Sequence, residues 1–263
     1  MKSRKLLNLA LISASVLTLA ACGGDDDDTT TTPPAPTTSE TAEGLWVGTT
    51  DTSRSVIGLV LDDGTYYVLY STLADSSVIG GVVQGHGTSN NGSFTSTDAR
   101  DFNLEGEGVL DATVSASYAV RQSFNGTVMY TAGGATTFAT SYDPAYELTP
   151  SLAALAGTYT GSVAFSLGVE NATVQVSDTG AITGTGESGC TLTGTASPRT
   201  SGNVFNLSIT FGGAPCYFAG QTLTGIAYYD DDPTAKRLYA AAPNATRTDG
   251  VLFVGEKPQI PPP

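Results

Sequence analysis

The sequence predicts an all-β protein, either two tandem small antiparallel up-and-down β-barrels or one large β-sandwich, preceded by a signal peptide and a disordered linker. Short segments rich in Val, Ile, Thr, Tyr and Phe alternate with Gly-, Asn- and Asp-rich turns from residue 45 onward. No segment keeps a helical period for three turns, and many short strands between such turns are typical of sandwiches and barrels. The same pattern recurs about 110 residues later, which favours two similar domains.

Residues 1–21 are predicted to be a lipoprotein signal peptide. Three basic residues precede an apolar run that ends at Ala20, which is typical of an export signal. The tetrapeptide Leu19-Ala20-Ala21-Cys22 resembles the lipobox of bacterial lipoproteins. This resemblance implies cleavage before Cys22 and attachment to a membrane through acyl chains on that residue. By the sorting pattern of enteric lipoproteins, Gly23 implies the outer membrane, while the side that the chain faces, periplasm or cell surface, stays open.

Residues 22–43 are predicted to form a disordered tether. The segment contains four consecutive aspartates, many Thr and Pro residues and no aromatic residue, so it cannot bury enough apolar surface to fold. Removal of the signal takes three basic residues away and changes the net charge from −14 to −17. A chain this acidic repels phosphate backbones, and we expect no nucleic-acid partner. It also repels anionic lipids, so we expect the acyl chains to provide the membrane attachment.

The remainder of the chain consists of two similar halves. The segment Gly44-Leu45-Trp46-Val47-Gly48 recurs as Gly157-Thr158-Tyr159-Thr160-Gly161, 113 residues later. Turn glycines follow in the same order in both halves: Gly64 with Gly180, Gly85 with Gly194, and Gly92 with Gly202. We therefore predict β-barrel domain 1 over residues 44–148, β-barrel domain 2 over 152–256 and a Pro-rich tail over 257–263. One mixed sandwich of some sixteen strands is the alternative.

An opening G-x-W/Y-x-G strand followed by a meander of hairpins resembles the calycin group, which comprises lipocalins and avidin-like barrels. The whole pattern also resembles proteobacterial surface lipoproteins with paired small barrels, a plan shared by the barrel lobes of transferrin-binding lipoproteins. These resemblances imply calycin-like barrels. They assign no functional residue in this chain.

Two glycine-containing motifs are interpreted as turns. Asn125-Gly126 lies between two β-type segments and is the strongest short hairpin signal in the chain. The run from Gly184 to Gly189 has the G-x-G-x-x-G spacing of a dinucleotide site, but a strand rather than a helix follows it. We therefore expect a hairpin turn there and no cofactor.

Cys190 and Cys216 form an even pair once Cys22 is assigned to lipidation. In an oxidising compartment the pair is expected to form a disulfide, with two buried free thiols as the alternative. By the loop-entropy argument such a bond contributes about 3–4 kcal/mol.

The sequence indicates neither an enzyme nor a metal site. His86 is the only histidine, no C-x-x-C motif is present, and no G-x-S-x-G elbow occurs in the mature chain. The run Asp230-Asp231-Asp232 is interpreted as a solvated hairpin tip. A carboxylate-based hydrolase would need two carboxylates facing each other across a cleft. The candidates for that chemistry lie in a stretch interpreted as loop-like: Asp98, Asp101, Glu105 and Glu107.

Aromatic residues supply the candidate ligand-binding positions. Alternate side chains of a barrel strand point inward, so they either fill the interior or surround one small ligand. The candidates are Trp46, Tyr67, Tyr159 and Tyr229. In the adjacent pairs Tyr66-Tyr67 and Tyr228-Tyr229, one ring of each pair is expected to be exposed or at an interface.

The predicted function is that of a lipid-anchored cell-envelope binding protein. Its twin β domains would capture a small apolar ligand or an envelope protein. The internal repeat, the tether and the missing catalytic set lead to this prediction. A structural or assembly lipoprotein without a ligand is the first alternative, and the hydrolase is the second.

Overall fold

The computed structural model describes residues 40–233 and 235–258, which form two closed antiparallel β-barrels in tandem. This confirms the barrel prediction and excludes the single large sandwich. The predicted signal peptide, Cys22, the tether up to residue 39 and the tail from residue 259 lie outside the described residues. Within the described part of the chain, no helix has the length and apolar character needed to cross a bilayer.

Barrel 1 is built from the first nine strands, which run up and down in chain order. Pairing of the first strand with the ninth and of the fourth with the sixth closes the barrel, and the short fifth strand pairs with the start of the sixth. The strands are β1 Gly44–Thr50, β2 Ser55–Val60, β3 Thr65–Ser71, β4 Ile79–His86, β5 Thr88–Asn90, β6 Ser93–Asn103, β7 Gly108–Ala119, β8 Ser123–Tyr130 and β9 Ala135–Asp143.

Barrel 2 has eight strands, and pairing of its first strand with its last closes it. A 3-10 helix, Pro144–Glu147, and a short helix α1, Leu152–Leu155, connect it to barrel 1. Its strands are β10 Gly157–Phe165, β11 Gly168–Val176, β12 Ala181–Gly186, β13 Thr191–Pro198, β14 Phe205–Phe211, β15 Thr222–Asp230, β16 Arg237–Pro243 and β17 Gly250–Glu256.

The repeated G-x-aromatic-x-G segment closes one end of each barrel in the same way. Trp46 and Tyr159 are both fully buried. The Trp46 ring nitrogen donates to the carbonyl oxygen of Ala42 at 2.9 Å, and the Tyr159 hydroxyl donates to that of Leu155, four residues back in both cases. Ala42 and Leu155 are themselves buried at 0% and 1% exposure. The segment before each first strand therefore forms a plug, and we call this end of each barrel the closed end.

The plug of barrel 1 lies in a segment that the sequence analysis assigned to the disordered tether. Besides Ala42, which also donates its backbone N–H to Ser89, the carbonyl oxygen of Glu40 accepts a hydrogen bond from Tyr118 at 2.7 Å. These residues lack large apolar side chains, but the barrel supplies both the apolar surface and the donor that order them.

The predicted hairpin turn at Asn125-Gly126 is wrong. Both residues lie in the middle of β8, where Gly126 pairs with Ala116 on one side and Phe138 on the other. The chain turns earlier, between β7 and β8, where Arg121 adopts a left-handed conformation with φ of 54°. Gly126 serves close packing instead, because a Cβ at that position would lie less than 3.0 Å from the backbone of Ser115 and Ala116.

An apolar cluster joins the two barrels. It includes Tyr67 and Leu69 from barrel 1 and Tyr228 and Tyr239 from barrel 2. The rings of Tyr228 and Tyr239 are stacked with 6.3 Å between their centroids. Burial of these faces provides most of the stabilisation at such an interface, since each large apolar side chain contributes about 1.5–3 kcal/mol when it leaves water.

Two arginines of barrel 2 fix its position on barrel 1. Arg199 pairs with Asp62 at 2.5 Å. Arg247 pairs with the carboxylate of Asp98 at 2.8 Å and donates to the backbone carbonyl oxygens of Gln84 and Asp98. Planar guanidinium groups suit such contacts because several N–H donors point in fixed directions.

Candidate functional site

The interior of barrel 2 contains an apolar cavity of about 80 Å³. It begins at Leu155 on the plug and extends to Phe165, Glu170 and Tyr217 at the opposite end, which we call the mouth. Between these ends the lining is almost entirely aliphatic and aromatic: Val163, Val174, Val176, Ile182, Leu192, Leu207, Ile209, Phe211, Phe218, Leu238, Val251 and Phe253. Inward-facing positions on alternate strand residues produce this lining.

The closed end of barrel 2 is sealed by polar contacts around an aromatic pair. The rings of Tyr159 and Tyr229 meet edge to face with 6.1 Å between their centroids. The ammonium group of Lys257 lies 5.8 Å from the Tyr229 ring centroid and donates to the backbone carbonyl oxygen of Ala154 at 3.2 Å. Ligand entry is therefore expected at the mouth rather than at this end.

A disulfide bond shapes the mouth. Cys190 and Cys216 are joined with an S–S distance of 2.05 Å, which confirms the predicted pairing. Cys216 lies in the connection between β14 and β15, and the bond ties that connection to the start of β13. The loop that carries the neighbouring aromatic residue Tyr217 is thereby held over the barrel interior.

Tyr217 and Phe165 form the aromatic edge of the mouth. Their rings are stacked at 12° with 5.1 Å between centroids, and Tyr217 is 42% exposed. The Tyr217 hydroxyl donates to Asp249 at 2.8 Å. On the other side, the Glu170 carboxylate accepts from the backbone and hydroxyl of Ser188. The mouth thus combines an accessible aromatic surface with polar groups that already have partners.

The four predicted ligand-binding aromatics lie in three different places. Trp46 is in the core of barrel 1, Tyr67 is in the interface between the barrels, and Tyr159 and Tyr229 are at the closed end of barrel 2. All four are less than 7% exposed. Burial raises the pKa of Tyr67 to about 12, so its hydroxyl stays neutral in the interface.

Sequence reasoning did not single out the mouth residues as ligand contacts. Tyr217 was recognisable as an aromatic directly after a cysteine, in the segment Gly212–Gly220 that contains Gly, Ala and Pro. The same segment contains the aromatic Phe218, which is buried at 4% exposure, so the sequence does not indicate which of the two rings is accessible. Phe165 has no comparable signal, since it is the last residue of an ordinary strand.

The four carboxylates considered for hydrolysis have separate partners. The loop-like interpretation is wrong for Asp98 and Asp101, which lie in strand β6. Asp98 contacts Arg247 across the interface, whereas Asp101 is buried inside barrel 1 with Tyr70 and Tyr130. Glu105 pairs with Arg54 at 2.6 Å. The backbone N–H of the fourth, Glu107, donates to Asn103.

The histidine and the acidic run have local partners. The exposed His86 ring lies 2.8 Å from the backbone carbonyl oxygen of Asp63. Asp231 pairs with Lys236 at 2.8 Å in the connection after β15. Among residues 40–233 and 235–258, no three His, Cys, Asp or Glu side chains are grouped so that they could hold a metal ion.

No protein-family model and no curated protein matches the chain. Among solved structures, it is similar to transferrin binding protein B from serogroup B Neisseria meningitidis, at 9% identity and a TM-score of 0.30, over 82% of this chain and 66% of that one. It is also similar to transferrin binding protein B from Haemophilus parasuis (a double mutant), at 8% identity and a TM-score of 0.30, over 80% and 61%.

A third similar structure is from Bacteroides fragilis and is named as an outer membrane protein. It shows 16% identity and a TM-score of 0.25, over 82% of this chain and 96% of that one. The chain spans less than two thirds of the length of both transferrin binding proteins. The fold assigned to this chain rests on its own strand pairing.

Proposed function

We propose that this chain is a lipid-anchored cell-envelope binding protein whose second barrel captures a small apolar molecule. The observation that carries the proposal is the apolar cavity of about 80 Å³ inside barrel 2. A cavity lined this way holds no favourable position for water, which needs two to four polar partners. An apolar molecule placed there exchanges water for aliphatic contacts, at about 0.8 kcal/mol for each buried CH₂ group.

The size of the cavity limits the ligand class. An apolar cavity of roughly 150 Å³ is sufficient for benzene, so about 80 Å³ admits only a small fragment without rearrangement. A ring-sized ligand requires side chains at the mouth to move. Tyr217 is the exposed aromatic at the mouth, and its movement would break its hydrogen bond to Asp249 and its ring contacts with Phe165 and Phe218. We therefore expect small aromatic or short-chain aliphatic molecules rather than whole lipids.

The membrane attachment in this proposal comes from Cys22. The described chain starts at the closed end of barrel 1, and the predicted tether would connect this end to Cys22. We expect labelled palmitate to be incorporated into the wild-type chain and not into the variant Cys22→Ser, because the acyl chains require the thiol and the new amino group of this residue. The measurement is autoradiography of the chain after membrane fractionation.

The Cys216→Ser variant provides the matched control, because it removes a different cysteine and should still incorporate the label. Label that persists in Cys22→Ser would contradict the lipid anchor. If the label is incorporated at Cys22 but no ligand binds, the lipid anchor is supported and only the capture proposal is wrong.

Capture is tested with toluene as the probe, on the mature chain carrying Cys22→Ser so that no detergent is present. We expect the melting temperature of barrel 2 to rise with toluene concentration, because a ligand that binds the folded state stabilises it by mass action. Ala227→Leu places three more carbon atoms in the lining and should abolish the rise. Ala181→Leu, on the exposed face of the same barrel, should respond like the wild-type chain.

Calorimetry or circular dichroism measures these melting temperatures. An unchanged melting temperature in the wild-type chain, or an equal rise in Ala227→Leu, would rule out capture in the cavity. Either result would favour the alternative of a structural envelope lipoprotein without a ligand.

A further inference from the structure

Barrel 1 has a pocket of about 240 Å³ at the end opposite its plug. One part of its wall is apolar and aliphatic, with Val56, Val68, Val83, Leu110 and Val128. The other part is polar and aromatic: Arg54, Tyr70, Asp101, Asn103, Tyr130 and Phe138. This pocket is separate from the cavity of barrel 2 and is unlike it in chemistry.

The polar part of the wall is organised around a buried carboxylate. Asp101 is 1% exposed. Its Oδ1 atom accepts a hydrogen bond from the Tyr70 hydroxyl at 2.8 Å, and its Oδ2 atom accepts one from the Tyr130 hydroxyl at 2.9 Å. Because each carboxylate oxygen has two acceptor sites, both oxygens keep capacity for a further donor. Asn103 donates to the Tyr70 hydroxyl at 3.2 Å and holds that ring in place.

The Asp101 carboxylate forms no direct ion pair within the described chain, although the positive charge of Arg54 lowers its pKa from a longer distance and the negative charge of Glu105 raises it. The nearest basic group that lines the pocket, Arg54, is paired with Glu105 at 2.6 Å and donates to the backbone carbonyl oxygen of Ser71 at 2.8 Å. Arg54 lies over the Tyr70 ring, 5.4 Å from its centroid, rather than on Asp101. Burial raises the pKa of Asp101 above its usual value, as expected for a carboxylate removed from water without a paired cation.

We propose that the pocket of barrel 1 binds a small organic ammonium ion, with Asp101 as its counter-ion. A cation in the pocket neutralises the buried carboxylate. The lining also contains the rings of Tyr130 and Phe138, and the face of an aromatic ring attracts a cation, whereas its edge does not. The valines and Leu110 provide contacts for methyl or methylene groups. The acidic chain also raises the local concentration of cations.

The pocket volume sets the size of the ligand. Pockets for drug-sized ligands measure roughly 300–1,000 Å³, so a pocket of about 240 Å³ fits a smaller compound, such as a small primary amine or quaternary ammonium ion. Arg54 at the rim disfavours a bulky dication, because a second positive charge would lie close to the guanidinium group. A singly charged ammonium of choline size is therefore the expected class.

The experiment compares choline with 3,3-dimethyl-1-butanol, which has the same shape without the charge. Calorimetric titration uses the mature chain with Cys22→Ser. We expect choline to bind at least tenfold more tightly than the neutral compound. Asp101→Asn should remove this preference, because it keeps the shape and deletes the charge. Asp111→Asn changes an exposed carboxylate on the neighbouring strand and should keep it.

Three results would overturn the proposal: equal affinity for the two compounds, a preference that persists in Asp101→Asn, or no binding of choline to the wild-type chain. If Asp101→Asn fails to fold, Tyr130→Phe is used in its place. This variant keeps the ring but releases one oxygen of Asp101 from its hydrogen bond. We expect it to change choline affinity severalfold while leaving the affinity for the neutral compound unchanged, and an equal change for both compounds would count against the proposal.

Discussion

Replacement of Gly161 by alanine is expected to destabilise barrel 2 by about 3 kcal/mol or more. Gly161 lies where the first strand of barrel 2 pairs with the last, opposite Gly255. A Cβ atom at Gly161 would lie less than 3.0 Å from the carbonyl oxygen of Val254 and the Cα atom of Gly255. Since these are backbone atoms, no side-chain rotation relieves the overlap, and the cost exceeds the usual 1–3 kcal/mol of an overpacked core.

The internal repeat predicts the same result in barrel 1. Gly48 occupies the position equivalent to Gly161, and its added Cβ would lie less than 3.0 Å from backbone atoms of Ala139 and Thr140. Gly48 and Gly161 are the second glycines of the two G-x-aromatic-x-G segments. Both are therefore required at the seam that closes each barrel, whatever ligand the protein binds.

Urea denaturation with circular dichroism measures both effects, and a change of this size lowers the melting temperature of a 100-residue domain by roughly 12–24 °C. Gly213→Ala is the matched control, because no atom lies within 4 Å of the Cβ position there and its φ is not in the left-handed region. A change of less than about 1 kcal/mol in Gly161→Ala would show that the seam can widen.

Turn chemistry explains how much of the fold was predictable. Gly64 and Gly180 both have φ of 83°, so glycine is favoured at these turns and the repeat is visible in the sequence. Asn125-Gly126 has the sequence of a turn, but Gly126 is required there because a neighbouring strand approaches closely. The actual turn contains Arg121, a residue type without turn preference, and only the pairing of β7 with β8 reveals it.

The candidate sites were less predictable because they depend on which face of a strand points inward. The sequence predicts that one ring of each adjacent tyrosine pair is exposed or at an interface. Tyr66 and Tyr229 belong to the barrel cores, whereas Tyr67 and Tyr228 belong to the cluster between the barrels. Neither periodicity nor composition indicates which tyrosine of a pair points into the barrel and which points to the other barrel. That orientation depends on contacts across the whole chain.

The cavity and the pocket depend on contacts that are distant in sequence. Phe165 and Tyr217 meet across 52 positions, and Tyr70 and Asp101 across 31. Such pairs follow from barrel closure and strand register, which a single sequence specifies only loosely. Asp101 is one of four carboxylates that are close in sequence. Only the structure shows that it is buried with Tyr70 and Tyr130, unlike the other three.

Removal of the Trp46 side chain is expected to be the second large effect. Trp46 is fully buried, and its ring lies 5.5 Å from that of Phe124 and 5.4 Å from that of Tyr142. Truncation of a buried tryptophan to alanine typically costs about 3–5 kcal/mol through lost contacts and the cavity left behind. Because the Trp46 ring nitrogen also donates to the carbonyl oxygen of Ala42, Trp46→Ala should detach the plug from the closed end of barrel 1 as well.

Trp46→Phe separates packing from the hydrogen bond to the plug. It keeps an aromatic ring but leaves the Ala42 carbonyl oxygen without its donor. A buried acceptor without a donor costs about 1–3 kcal/mol, and the packing lost with the smaller ring adds to this cost. Tyr159→Phe removes the equivalent donor to Leu155 in barrel 2 with little change of shape, so it isolates the hydrogen-bond contribution. The order of destabilisation should be Trp46→Ala, then Trp46→Phe, then Tyr159→Phe.

The free energy of unfolding of these variants is measured by circular dichroism. Tryptophan fluorescence is unsuitable, because Trp46 is the only tryptophan and both Trp46 variants lack it. Val47→Ala, at a 42% exposed position on the same strand, is the control and should change stability by less than about 1 kcal/mol. If Trp46→Phe were as stable as the wild-type chain, the plug would be held by shape alone. The aromatic residue in each G-x-aromatic-x-G segment would then be explained by ring packing rather than by the bond to the carbonyl oxygen four residues earlier.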